Sequence, residues 1–157
     1  MAAPATPQWY LKVPPPVWTL GLLLAAYLIE RTFGWGRVIV LRSTPAAILF
    51  GAAGIVIAAL AVSKFFTAGT EIEPASATNK KVVAGGPFRF TRNPMYLGLV
   101  LMSLGIALYM GTLPFFLVPL LVFLICDILF IPFEEAKMRR QHGDLYTEYT
   151  SRVRRWM

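Results

Sequence analysis

Residues 94–133 form a run of forty residues that carries one formal charge, Asp127. A helix rises about 1.5 Å per residue and the hydrocarbon core of a bilayer is roughly 30 Å thick, so about twenty apolar residues make one crossing. The run is therefore long enough for two. Gly111 and Pro114 fall near its middle and set a tight helical hairpin of 95–110 and 113–133. Two other apolar stretches precede it, near 16–32 and 45–62, the second opened by Pro45 in a position suited to a first helical turn. Within the second, Gly51 and Gly54 stand almost one turn apart, which lets a neighbouring helix approach closely or is simply tolerated in lipid. The expected fold is all-α: a polytopic membrane bundle of about four transmembrane helices, forming one domain over residues 1–157.

Composition agrees with a lipid solvent. Hydrophobic residues make up 57% of the chain and charged residues 15%, with a mean hydropathy of +0.61. Soluble domains carry roughly a quarter charged residues, and disordered chains lack this much apolar matter. The net charge of +7 would suggest nucleic acid in a soluble protein. Here the basic residues lie between apolar runs, where they anchor against anionic headgroups, and no nucleic-acid partner is expected. Four spans would place twelve Lys and Arg on one side and only Arg31, Arg37 and Arg42 on the other. The positive-inside rule then puts both termini and the long 64–93 connection in the cytoplasm, with a bacterial chain lying in the inner membrane. The proline-rich start has neither the basic region nor the cleavage site of a signal peptide. A lone cysteine, Cys126, excludes an internal disulfide, and one histidine with one cysteine cannot build a transition-metal site. Neither GxGxxG after a strand nor GxxxxGK[ST] occurs, so no Rossmann domain or P-loop is present.

Two polar clusters share the expected cytoplasmic face. The first is GGPFRFTRNPMYLG at 85–98, in which Gly85 and Gly86 permit close backbone approach, Arg89 and Arg92 offer anion partners, and Tyr96 opens a helix. A turn with snorkelling arginines and a belt tyrosine would produce the same pattern. The second is Glu134 and Glu135, directly after the last span and followed by Lys137, Arg139 and Arg140. If the helix continues, Asp127, Ile131 and Glu134 share one face at i, i+4 and i+7. An acid inside a span marks a functional site by default, and the alternative is a structural pair with a loop arginine. Together these groups suit a cofactor with both a positive centre and an anionic group.

At these residues the chain resembles the integral-membrane methyltransferases, which include the isoprenylcysteine carboxyl and phospholipid N-methyltransferases. GGPFRFTRNPMYLG is similar to their G-P-[YF]-x-x-x-R-[HN]-P-x-Y-x-G signature. The tail FEEAKMRRQHGDLYTEYTSRVRRW is similar to a second one, in which a Glu-Glu pair precedes a basic helix and F-G-x-x-Y-x-x-Y-x-x-x-V. The likeness covers residues 82–156. It implies an S-adenosylmethionine site, with S-adenosylhomocysteine as product, formed by the loop before span 3 and the C-terminal helix. The residues it implies for cofactor binding are Gly86, Pro87, Phe88, Arg92, Asn93, Pro94, Tyr96, Glu134 and Glu135; the expected catalytic residues are Glu135, Asp127 and Arg139, with Glu135 or Asp127 taking the proton when the acceptor is an amine. A lipophilic, lipid or prenylated acceptor would come sideways from the bilayer. Asn93 stands where isoprenylcysteine enzymes usually have His, and His142 stands at the Phe of the F-G pair. Other functions open to such a chain are a non-catalytic membrane scaffold or lipid binder and an NADPH-dependent membrane reductase. Binding of S-adenosylmethionine separates the first reading from both.

Overall fold

The computed structural model describes residues 9–34, 40–69 and 82–157, all of which form helices, turns and short connections. The middle of the long connection, with Lys80 and Lys81, lies outside the described residues, as does Arg37.

After a short 3-10 turn at Trp9–Lys12, helix α1 spans Pro15–Phe33 and opens on two prolines, whose missing N–H groups cost nothing in a first turn. Helix α2 spans Thr44–Ala68, where the Ser43 hydroxyl accepts from the Ala46 N–H at 3.4 Å. Helix α3 (Pro94–Met110) and helix α4 (Leu113–Ile125) form the expected hairpin. Gly111 turns it at φ +77°, a backbone state that a side chain would strain. A single π turn, Cys126–Phe130, joins α4 to helix α5, Ile131–Arg152.

Two described helices, Thr44–Thr67 and the continuous Leu113–Arg152, are long and apolar enough to cross a membrane by length and composition; Pro94–Met110 is apolar but shorter. In the second the apolar part ends at Phe133, and the charged remainder begins at Glu134. Large apolar side chains face outward along α1, α2 and α4, among them Leu24, Ile48, Ile55, Leu60 and Leu120. So broad an apolar surface is what a lipid-facing bundle presents.

Inside, Phe115, Val118, Val122, Phe130 and Ile131 pack with Tyr96, Ala107 and Ala26 to form the core shared by α1, α3 and the hairpin. The α2–α3 seam has no room for side chains at its crossing. A Cβ on Gly54 would lie 2.7 Å from the Gly98 carbonyl oxygen, and one on Gly105 would lie 2.8 Å from that of Ala47. Gly54 therefore acts as an approach surface together with Gly98 and Gly105, whereas a Cβ on Gly51 would meet nothing within 4 Å. At the far end Thr112 donates to Glu30 Oε2 at 3.1 Å, tying α1 to the hairpin turn.

Two expectations change. The polar connection does not begin at Lys64: α2 continues to Ala68, with the Thr67 hydroxyl donating back to the Ser63 and Lys64 carbonyls and Gly69 capping the end. Nor do Asp127 and Glu134 share a face. The π turn adds a residue to one helical turn, closed by the Ile131 N–H donating to the Cys126 carbonyl, and this aligns Asp127 with Glu135 instead. Pro132 supplies a cause, since it cannot donate to the turn before it and crowds a regular helix there.

Candidate functional site

A cavity of about 650 Å³ opens where the start of α1, one face of α2, the 82–96 segment and the beginning of α5 meet. Its size is that of a small-molecule site. Pro14, Pro15, Ala58, Val62, Leu99 and Met102 line one part of it with apolar surface, while Arg92, Asn93, Tyr96, Glu134, Glu135 and Lys137 bring polar groups to another.

The wall at 86–96 is built locally. Gly85 and Pro87 start a 3-10 turn, Gly86–Arg89, which buries Phe88 edge-on against Phe65 with ring centroids 5.4 Å apart. The Tyr149 hydroxyl donates to the Phe88 carbonyl at 2.8 Å and so fastens α5 to the turn. Pro94 then begins α3, and Tyr96 in its first turn donates to Glu134 Oε1 at 2.5 Å. That bond joins the two sequence clusters.

Burial pushes the Glu134 carboxyl up to about 7, against the opposing pull of the Tyr96 hydrogen bond and the Lys137 charge. Burial likewise raises the Tyr146 phenol to about 12 and raises Tyr149, so both stay neutral near pH 7. Glu135, almost fully buried, is ringed by arginines: Arg92 Nη2 at 3.2 Å, Arg155 Nη2 at 2.9 Å and the exposed Arg139 at 3.7 Å. The Arg92 Nε is buried and has no hydrogen-bond partner among the described residues. An unmatched buried donor costs about 1 to 3 kcal/mol.

Of the residues singled out from sequence, Phe88, Arg92, Asn93, Pro94, Tyr96, Glu134 and Glu135 line the cavity. Gly86 and Pro87 shape the turn behind Phe88 without lining it. Arg139 is on the rim, and Asp127 sits apart, receiving Arg155 Nη1 at 3.3 Å and the Trp156 indole N–H at 2.9 Å. The partner of the acid inside the span is thus an arginine of the tail, not one of the connection. Sequence reasoning missed Pro14 and Pro15, which belong to the proline-rich start, and Pro16, Ala58 and Val62, which come from helices assigned only to crossing the membrane. It also missed Arg155 and Trp156, although a buried acid in need of a cation pointed toward the only strongly basic terminus.

Gly143 makes the closure by the tail possible. It breaks α5 at φ +49°, ψ −120°, a corner that only glycine adopts without strain, and the helix beyond it carries Tyr146 and Tyr149 back over the 86–92 turn. A side chain there meets open space, so the cost is one of backbone conformation alone. Gly143→Ala should lower stability by about 1 to 3 kcal/mol, read by thermal unfolding in detergent. Limited proteolysis should show cleavage concentrated in the tail.

Residues 42–144 match the family model for phospholipid methyltransferase. No curated protein and no solved structure matches the chain.

Proposed function

The chain belongs to the phospholipid methyltransferase family, a group of integral-membrane methyltransferases, and on that premise we propose that it draws its methyl group from S-adenosylmethionine and delivers it to a lipophilic acceptor, of the phospholipid amine or isoprenylcysteine carboxylate type. The observation that carries this reading is a cavity whose lining brings together the Arg92 guanidinium and the Glu134 carboxyl. An amino-acid tail with a carboxylate and an ammonium fits that pair of receptors. In this reading α1, α2, α3 and the 113–133 segment cross the bilayer, with both termini on the cytoplasmic side, and the acceptor comes from the lipid past the apolar lining.

When bound, S-adenosylmethionine supplies a sulfonium methyl for in-line displacement. The protein's part is alignment and dryness, which can contribute several kcal/mol to such a transfer. Arg92 takes the anionic group, Glu134 faces the cationic one, and Phe88 and Tyr96 add aromatic lining beside them. Glu135 and Asp127 have oxygens engaged by arginines, which leaves Glu134 as the group to receive a proton when the acceptor is an amine.

Calorimetric titration of the detergent-purified protein with S-adenosylhomocysteine, with NADPH as the control ligand, tests the reading. Saturable micromolar binding of the first alone is expected. A folded protein that binds only NADPH, or neither ligand, would refute it. Arg92→Ala should weaken binding by about 1.5 to 3 kcal/mol, the range for a charge-assisted hydrogen bond. A fall in melting temperature with affinity unchanged would make Arg92 structural.

A further inference from the structure

Beyond Arg152 the chain turns back and lies across the 91–93 segment. The Arg92 N–H donates to the Arg154 carbonyl at 3.0 Å, and the Arg155 carbonyl accepts from the Thr91 hydroxyl at 3.0 Å and the Asn93 amide at 2.9 Å. Trp156 stacks on Phe123 of α4 with centroids 4.7 Å apart while its indole N–H donates to Asp127. The tail is therefore anchored on both sides of Arg155.

The Arg155 side chain forks. Nε donates to Glu135 Oε1 at 3.2 Å and Nη2 to Oε2 at 2.9 Å, while Nη1 reaches Asp127 Oδ1 at 3.3 Å. Both oxygens of Glu135 are thus taken by one guanidinium, and Arg92 reaches only Oε1, through Nη2. Bidentate pairing is the strongest arrangement open to an arginine and a carboxylate, and Glu135 has a second guanidinium within reach. Without Arg155, Glu135 would be free to form that two-bond pair with Arg92. The charge count changes with it: Arg92, Arg139 and Arg155 face the two carboxylates of Glu135 and Asp127, and removing Arg155 leaves two guanidiniums for two acids.

We propose that Arg155 is a positioning residue of the donor site, holding Glu135 in a two-bond fork so that Arg92 remains available to the carboxylate of the methyl donor. The inference rests on the donor assignment above, and it gives Arg155 no contact with the ligand. A plain structural staple between the tail and Asp127 would have a different signature.

Competition binding with two probes separates these possibilities: S-adenosylhomocysteine, and 5′-methylthioadenosine, which shares the adenosine thioether but lacks the amino-carboxylate tail. Arg155→Ala should weaken the first by roughly tenfold to a hundredfold, the range for losing one charge-assisted bond, and leave the second within about twofold. Arg155→Lys keeps the charge but loses the fork and should fall between. Adding Arg155→Ala to Arg92→Ala should cost little more than Arg92→Ala alone, since both act through one guanidinium. Equal weakening of both probes by Arg155→Ala, or of neither, would overturn the assignment of Arg155 and leave the donor assignment standing. Failure of the unaltered protein to bind S-adenosylhomocysteine would overturn both.

Discussion

Replacing Glu134 with glutamine should weaken S-adenosylhomocysteine binding about tenfold to a hundredfold at pH 8 and abolish its pH dependence. The amide oxygen of glutamine still accepts the Tyr96 hydroxyl, so the bond that joins α3 to α5 survives and only charge is removed. In the empty protein burial sets the Glu134 carboxyl at about 7. A cationic ligand group binds the ionised form, so affinity should rise by up to tenfold per pH unit below about 7 and level off above it. Stability should run the other way. The folded carboxyl holds its proton more tightly than its ordinary value of 4.5, so the folded state binds more protons between about 4.5 and 7 and loses stability as pH rises through that window. Titrations at pH 6 and pH 8, with thermal unfolding of both proteins at the same values, check all of this. A glutamine variant with the same affinity and the same pH profile as the parent would remove Glu134 from the site.

Gly98→Val should be among the most damaging single substitutions in the helical frame, with Gly54 and Gly105 equally tight, costing about 3 kcal/mol or more. A Cβ there falls 2.8 Å from the Gly54 carbonyl oxygen and 2.9 Å from the Ala58 Cβ. The first obstacle is backbone and cannot rotate away. Overpacking in a tight core costs typically 1 to 3 kcal/mol, and here the whole of α3 would have to move off α2. Because Tyr96 and Leu99 stand beside Gly98 and Ala58 lines the cavity, ligand binding should fall with stability. The contrasting variant is Gly51→Ala, whose added methyl meets nothing within 4 Å and should change the melting temperature by only a degree or two. Thermal unfolding of the two variants in one detergent is the measurement, and equal stability would remove the seam from the account.

The helices were legible because lipid imposes a simple rule: a long apolar run must satisfy its backbone internally, and a helix is the way to do so. Their ends were less legible. The composition changes at Lys64, but that change marks the solvent around the helix and not its hydrogen bonding, so α2 runs on to Ala68 with polar and aromatic side chains. Both polar clusters could be found in the sequence, since Gly, Pro and charged residues stand out against an apolar background. What could not be found there was their connection. The Tyr96–Glu134 bond spans 38 residues and the Arg155–Asp127 pair 28, and no local pattern encodes either. The lining contributed by Ala58 and Val62 was hidden for another reason: an apolar side chain that faces a cavity has the same chemistry as one that faces lipid.

The π turn at Cys126–Phe130 also bears on how lengths are compared between chains. A regular helix turns about 100° per residue, so one deletion in α4 above this turn would rotate everything between it and the turn. Within the turn the extra residue is already absorbed in a wider loop of backbone. Deleting Ile128 or Leu129 should therefore restore a regular helix and leave Asp127 and Glu135 on a common face, seven residues apart. A shorter relative aligned without a gap here would have the counterpart of Glu135 placed opposite Glu134, and the two carboxylates would exchange roles on paper while keeping them in the molecule.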